Sequence, residues 1–478
     1  MRANRIVPSL CGILCLVVGA CDKDPNFTSP SFTATCPSGP LQVNAPISIT
    51  FSQPVSATSL STAIVIVSDS TGNPIPGNVV SANNGTTVQF VPSAPLPFGA
   101  KLRLRLQNLL MQGTNEPLNV TVCPLTTVAP PLQLVWTSLP EATGSPLSGA
   151  ALVKPDTGFI ASTVVPIFKG GSRGFDVVFN SPYFTATSDV AFMNPLRGFG
   201  AHFEPRADRS VVSQTLDGGT TWDSLGSVSS ISLQKIFVRH TTTATDTLFF
   251  SAGGGTSFIA TFVKYDPTTK VLSATQSTPF NFTAAVADID YAATDTVHGA
   301  AVTNGQNFFG LTPGRIWTTA DGGASWTELV GFATPPRVVT YNGVALRANG
   351  DIFAVGGLGV AIRIKPGGTV DTLLKGAVAI PDTTDYRTLV YTDVEFAKDN
   401  DQRGWIIGAR QTGIVAGVPQ YQGLIFQTND GGATWVRQGV KGGPNFGAQF
   451  PRLNRISVLD QNHVWLVGDG GTVLQYTP

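Results

Sequence analysis

The sequence predicts an all-β protein, in which a β-sandwich of short strands precedes a ring of seven four-stranded sheets. Three observations predict it. Gly (51) and Pro (34) are abundant, which suits short strands joined by tight turns, because Gly supplies positive φ and Pro presets turn geometry. Runs of strict apolar–polar alternation recur, while nothing after the first 21 residues shows the 3.6-residue period of an amphipathic helix. A turn-forming octapeptide occurs three times and an apolar strand phrase seven times, the mark of a repeat architecture.

Length and charge bound the rest. The 478 residues suffice for two or three domains at roughly 100–200 residues each. Lys+Arg and Asp+Glu balance at 30 each, with a pI of about 6.9. No basic stripe breaks that balance, so nucleic acid is excluded as a partner.

Residues 1–21 read as an export signal. Arg2 and Arg5 precede an apolar run from Ile6 to Ala20. At about 15 residues that run is shorter than the roughly 20 a spanning helix needs. The segment ends Val18-Gly19-Ala20-Cys21, which resembles the bacterial lipobox. The resemblance implies lipidation of Cys21, anchorage through that lipid, and a place in the cell envelope facing periplasm or exterior. The sequence leaves the leaflet open. Residues 22–40, rich in Ser, Thr, Pro and Asp, read as a flexible tether.

After the leader only Cys36 and Cys123 remain. Export places them in an oxidising compartment, where the pair is most simply one disulfide. The alternative is two unpaired buried thiols. No metal site is expected, since the four histidines (202, 240, 298, 463) show no ligand spacing, and no cofactor is expected either.

The cysteines bracket a unit at 36–128. Ile47-Ser48-Ile49-Thr50-Phe51, Val88-Gln89-Phe90-Val91 and Leu102-Arg103-Leu104-Arg105-Leu106 alternate with period 2, so one face is buried and one wet. Turn clusters at Asp69 to Pro74 and at Asn83-Asn84-Gly85 separate the runs, and short antiparallel strands at this spacing predict a β-sandwich. The phrases "ISITFSQPV" and "TTVQFVPSAPLPFGAKLRLRL" resemble bacterial Ig-like domains, which implies a spacer or adhesive unit.

The repeats occupy 130–478. The octapeptides centre on Asp217-Gly218-Gly219 with Trp222, Asp321-Gly322-Gly323 with Trp326, and Asp430-Gly431-Gly432 with Trp435. Each matches the Asp-box (BNR repeat) pattern Ser/Thr-x-Asp-x-Gly-x-x-Trp. The expected role is structural. The Asp accepts backbone N–H bonds in a hairpin turn, the glycines take positive φ, and the Trp returns on the next strand to bury its face. A catalytic role would give three identical turns the same chemistry. Successive box tryptophans lie about twice the length of a four-stranded unit of roughly 50 residues apart, so a degenerate unit is expected between each pair.

The second phrase supplies those units. It reads Gly158-Phe159-Ile160-Ala161, Gly198-Phe199-Gly200-Ala201, Leu248-Phe249-Phe250-Ser251, Gly299-Ala300-Ala301-Val302, Ile352 to Gly356, Gly404 to Gly408 and Val464 to Gly468. Seven units predict a seven-bladed β-propeller. The last unit, ending at Tyr476, lacks a fourth strand. Residues 132–139, with Trp136, resemble the box strands and are expected to supply it, closing the ring and removing open sheet edges.

"GWIIGARQTG…GLIFQTNDGGATWVRQ" and "VWLVGDGGTVLQYTP" resemble the photosystem II stability/assembly factor family of propellers. The resemblance implies an exported, non-catalytic protein that helps assemble or stabilise a membrane or envelope complex through protein contact. That family uses a basic patch; here Arg337, Arg410, Arg452 and Arg455 form no cluster in sequence. Asp boxes also occur in sialidases, so a glycosidase with its site in the propeller channel is the alternative, and a glycan the alternative ligand. Paired carboxylates do that chemistry, and Asp288, Asp290, Asp393 and Glu395 are candidates, although their spacing reads as solvated strand edge. A purely structural surface lipoprotein is the third reading. Asp399-Asn400-Asp401 begins like a calcium loop, but lacks the later ligands and reads as a turn.

Overall fold

The computed structural model describes residues 32–478 apart from 44, 61–63, 69–73, 95, 97–99, 119–120, 128–132, 165, 230–231, 240–246, 254–261, 267–270, 276–285, 293–294, 296, 305–313, 330–339, 375–387 and 442–449. The expected leader, Cys21, the start of the tether, His240 and Arg337 lie outside the described residues. The chain divides into two compact units, Met1–Pro130 and Pro131–Pro478. No helix among the described residues is long and apolar enough to cross a membrane.

The first unit holds two sheets. One orders β1 (Ala34–Thr35), β2 (Ile47–Phe51), β5 (Thr87–Pro92) and β4 (Gly77–Ala82); the other orders β3 (Ile64–Ser68), β6 (Lys101–Leu106) and β7 (Thr121–Thr126). Alternation does what period 2 requires. Leu102, Leu104 and Leu106 bury while Lys101, Arg103 and Arg105 face water, and Ile47, Ile49 and Phe51 bury on the opposite sheet. These side chains share one core. Cys36 follows β1, Cys123 lies on β7, and their disulfide joins the two sheets with Cα atoms 5.5 Å apart. Closing a loop of that length stabilises by about 4–5 kcal/mol in the chain-entropy picture.

Among the described residues the second unit consists of seven antiparallel meanders, the last of which takes β8 (Gln133–Ser138) as its fourth strand. Meander 1 is β9 (Leu147–Lys154), β10 (Thr157–Ser162), β11 (Ile167–Gly171) and β12 (Gly174–Phe179); meander 2 is β13 (Ala186–Phe192), β14 (Gly198–Glu204), β15 (Arg209–Thr215) and β16 (Asp223–Ser229). Meander 3 is β17 (Ser232–Arg239), β18 (Thr247–Gly253), β19 (Phe262–Asp266) and β20 (Val271–Thr275); meander 4 is β21 (Val286–Tyr291), β22 (Gly299–Thr303), β23 (Ile316–Thr319) and β24 (Thr327–Glu328). Meander 5 is β25 (Tyr341–Leu346), β26 (Ile352–Gly356), β27 (Ala361–Ile364) and β28 (Val370–Thr372); meander 6 is β29 (Leu389–Phe396), β30 (Gly404–Val415), β31 (Val418–Thr428) and β32 (Val436–Lys441). Meander 7 runs β33 (Leu453–Asp460), β34 (His463–Gly468), β35 (Val473–Tyr476) and then β8.

The seven apolar phrases are the second strands, β10, β14, β18, β22, β26, β30 and β34. The first strands β9, β13, β17, β21, β25, β29 and β33 touch one another in that order, and β33 touches β9.

Strand β8 pairs antiparallel with β35, Trp136 opposite Tyr476. It also pairs in parallel with β32, so meanders 6 and 7 merge into one eight-stranded sheet, a junction the sequence did not foretell. Both edges of β8 are thereby used, which removes two open edges at once. Trp136 is fully buried. Its Nε1 donates to Gln438 Oε1 at 2.7 Å, Gln438 Nε2 donates to Gln427, and Gln427 Nε2 donates to the Tyr476 hydroxyl at 3.1 Å. A buried indole costs stability unless its N–H is bonded, and this chain of amides meets that need with residues from three separate strands.

Candidate functional site

The site begins with one irregularity repeated seven times. Every first strand carries a β-bulge at the same place in its pairing with the second strand, leaving one residue unpaired: Ser148, Gln234, Asn342 and Asn454 in the odd meanders, Ser188, Ala287 and Thr392 in the even ones. A bulge puts two consecutive side chains where one would stand and re-aims them. All seven of these residues line one funnel of about 400 Å³, together with Arg452 and Arg455. Several girdle the funnel by reaching the next first strand. Ser148 Oγ donates to the Thr187 carbonyl (2.6 Å), Asn342 Nδ2 to that of Tyr391 (2.8 Å), Thr392 Oγ1 to that of Leu453 (2.7 Å), and Asn454 Nδ2 to that of Leu147 (3.0 Å).

The residue after each bulge forms a second, charged layer: Gly149, Asp189, Lys235, Asp288, Gly343, Asp393 and Arg455 in chain order. Each aspartate clips two strands together. Asp189 accepts from Val190 N and, on the next first strand, from Ile236 N; Asp288 from Ile289 N and Val344 N; Asp393 from Val394 N and Ile456 N, all at 2.8–3.0 Å. The glycines make room, since a Cβ at Gly149 would stand 2.2 Å from Asp189 Oδ1 and one at Gly343 2.8 Å from the Asp393 Cα. Lys235 Nζ lies 2.6 Å from Asp288, 3.7 Å from Asp393 and 3.9 Å from Glu395. Asp290, two residues on from Asp288, accepts from Leu346 N (2.8 Å) and from Lys398 Nζ (3.0 Å).

Burial dominates the electrostatics. It pushes Asp189 up to about 6 against the pull of Arg455, and Glu395 up to about 8 against that of Lys235. It raises Asp288 as well. Burial opposes the charges of Lys235 and Arg455 too, but the surrounding carboxylates outweigh it and hold both above their ordinary values.

Sequence spacing makes Asp288, Asp290, Asp393 and Glu395 solvated edge residues. The structure corrects this: they converge with Asp189, three of them are buried, and Glu395 stands beside Lys235. Neither Asp189, Lys235 nor the bulge ring is legible in the sequence. The arginines are corrected as well, because Arg452 and Arg455 meet in the funnel, although Arg410 reaches only a neighbouring groove. That groove, about 700 Å³, runs beside the β30–β31 hairpin and includes Arg410, Tyr421, Phe450 and Arg452. The hairpin tip exposes Ile414, Val415 and Val418 and carries no charge from Gln411 to Gln420.

The three octapeptides expected to be boxes lie between third and fourth strands of meanders 2, 4 and 6. In each, a Thr hydroxyl accepts from the second glycine's N–H and donates to the Asp, which in turn accepts from the backbone N–H and hydroxyl four residues on. Both glycines take φ of 67–86°. Hydrogen bonds from Thr221 and Ser325 hold Asp217 and Asp321 down to about 2; burial works against Asp430, but the Thr434 bonds prevail and lower it too. The tryptophans stand one residue ahead of the fourth strand rather than on it; Trp326 is buried and Trp222 and Trp435 partly so.

Two of the boxes, those of meanders 2 and 6, also grip the preceding meander. A Cβ at Gly219 would stand 2.6 Å from the Phe159 ring, and one at Gly432 2.4 Å from Phe353. Lys169 Nζ donates to the Gly218 carbonyl (2.7 Å), and Arg347 Nη1 to that of Gly431 (3.0 Å).

His202 is a core residue, between the Thr187 and Ser213 hydroxyls at 3.0 and 2.7 Å; burial drives it down to about 3. Asp399 accepts from Gln461 N and Asp401 pairs with Arg347, so the calcium-like phrase is used within the fold. No group of three or more His, Cys, Asp or Glu residues among those described could hold a metal ion.

Residues 26–120 match the bacterial Ig-like domain family. No curated protein matches the chain. Among solved structures, YCF48 bound to D1 peptide is similar at 13% identity and a TM-score of 0.51, over 73% of this chain and 99% of that one. YCF48 from Cyanidioschyzon merolae is similar at 14% identity and a TM-score of 0.50, over 72% and 99%. The WD40 β-propeller domain of Doa1 shows 10% identity and a TM-score of 0.48, over 72% and 96%. At such identities the likeness is one of fold, an all-β fold with propeller neighbours and an Ig-like domain.

Proposed function

We propose that the chain is an extracytoplasmic lipoprotein, anchored through Cys21 in the bacterial cell envelope, whose seven meanders form a seven-bladed β-propeller that binds a partner protein and serves assembly or stability of a membrane or envelope complex. The single observation that carries a binding rather than a catalytic reading is the employment of the channel carboxylates. Asp189, Asp288, Asp290 and Asp393 each accept a backbone N–H from the next first strand. A carboxylate so committed is a staple, and general acid or nucleophilic work needs one within reach of substrate instead. The uncharged hairpin and the groove beside it supply exposed surface on a rigid frame, where recognition is usually built. A solved structure of similar fold holds a peptide, D1 in its case.

Affinity capture from native membranes, with the full lipidated chain as bait, tests the reading. A stoichiometric protein partner is expected, lost when Gln411–Gln420 is replaced by a two-residue Asn-Gly turn. Absence of any such partner contradicts it, as does turnover of fluorogenic glycosides that disappears in Glu395→Gln.

A further inference from the structure

Two arginines line the funnel, Arg452 and Arg455, and among the described residues neither side chain has a hydrogen-bond partner. Lys235 takes the carboxylates within 4 Å, and Asp189, Asp288 and Asp393 are occupied by backbone N–H groups. Arg455 stands in the same charged layer, yet neither its side chain nor that of Arg452 makes a hydrogen bond or a salt bridge with the described residues, and the Nε of each is buried without a partner. Buried donors are nearly always satisfied, so an orphan needs a reason. The Arg452 guanidinium is only lodged against the Tyr421 ring, at 5.8 Å. Both arginines line the funnel, whose remaining wall is neutral and mostly polar, with Ser148, Ser188, Gln234, Asn342 and Asn454 among its residues.

From this we propose that the funnel is a binding site for a small hydroxylated carboxylate, its carboxyl group held by Arg455 and Arg452 and its hydroxyls by the ring of bulge residues. The planar guanidinium fork matches a carboxylate in two parallel bonds, which an ammonium cannot do. The volume, about 400 Å³, lies within the range of small-molecule sites. The bulges supply much of that polarity: six of the seven residues they turn toward the funnel are polar, Ala287 being the exception. The carboxylates of the charged layer attract Arg455 as well as Lys235, but among the described residues none is in hydrogen-bonding or salt-bridge contact with the Arg455 guanidinium, so its fork stays open to an anion. This site shares Arg452 with the groove beside the hairpin but is otherwise lined by different residues, and it stands or falls independently of any protein partner.

Calorimetric titration of the full chain in detergent tests it, with glucuronate as probe and glucose and inorganic phosphate as controls. Saturable one-to-one binding of glucuronate is expected, with glucose and phosphate each at least tenfold weaker. Arg455→Gln and Arg452→Gln should each weaken glucuronate at least tenfold, while Arg410→Gln, which lies in the groove only, leaves it unchanged. Ser188→Asp guards against misfolding of the arginine variants, since it adds a repelling carboxylate at a half-buried position on the funnel wall; it should abolish binding with the unfolding midpoint intact. No saturable binding overturns the proposal. So does glucose or phosphate binding as tightly as glucuronate, or undiminished binding in R452Q, R455Q or S188D.

Discussion

Even and odd meanders differ in kind. Meanders 2, 4 and 6 carry the octapeptide turns and the funnel aspartates; each also ends its first strand in an aromatic that meets the octapeptide tryptophan, Phe192 with Trp222 at 6.2 Å, Tyr291 with Trp326 at 6.4 Å, and Phe396 with Trp435 at 6.2 Å. Among the described residues the odd meanders have neither device, and they supply the sockets instead. Meanders 1 and 5 offer Phe159 and Lys169, or Phe353 and Arg347, to the box that follows. Meanders 3, 5 and 7 offer Ile236, Val344 and Ile456 N–H groups to the aspartate that precedes. Meanders 2 and 6 thus grip both neighbours, and meander 4 clips the one that follows it. The units between boxes act as partners of the units that carry them.

The alternation must fail where meander 7 meets meander 1, both odd. There Ser457 Oγ accepts from Leu152 N at 2.8 Å, Trp465 fills the space above Gly158, and β8 completes meander 7 from the other end of the unit. Loosening β8, the strand that closes meander 7, should have the largest effect. Trp136→Ala is expected to cost about 3–5 kcal/mol, as for a buried aromatic, and to strand Gln438; urea denaturation measures it. Next comes an even-meander clip. Asp288→Ala leaves Lys235 short of its nearest carboxylate and orphans two N–H groups, for about 3 kcal/mol in the same assay. A box grip ranks below. Thr428→Val keeps the shape but leaves the buried Gly432 N–H without its acceptor, a loss of about 1–2 kcal/mol. If the loss in the Thr428 variant exceeded that in the Asp288 variant, the clips would not be the stronger half of the grip.

The smallest effect concerns His202, socketed within meander 2. Its folded pKa of about 3 lies below the unfolded value of about 6.5. Between these values the unfolded chain binds the extra proton, so this residue's contribution to stability is complete above about pH 6.5 and falls as pH drops toward 3. His202→Gln should reduce proton uptake on unfolding at pH 5 by about one, read from the slope of stability against pH. An unchanged slope would mean that the imidazole is already charged in the fold.

How much of this was legible in the chain depends on range. The boxes were, because Thr428, Asp430, Gly432 and Trp435 sit within eight residues and their bonds are local. The sandwich strands were, because Leu102, Leu104 and Leu106 alternate visibly. The channel was not. Asp288 and Asp290 look like any polar alternation until the bulge at Ala287 re-aims them, and a bulge leaves no mark in sequence. Their partners, Val344 and Lys398, are far along the chain, as Arg452 and Arg455 are from Ser148 and Ser188. The parallel pairing of β8 with β32 was hidden for the same reason: the phrase around Trp136 announces a fourth strand but not that its second edge is also taken.

Hydrogen exchange at β8 tests closure of the ring most directly. With both edges paired, the amides of Gln133–Ser138 should be as protected as those of β34, exchanging only on global unfolding. Exchange of that segment orders of magnitude faster than β34, at the pace of an open edge strand, would contradict it.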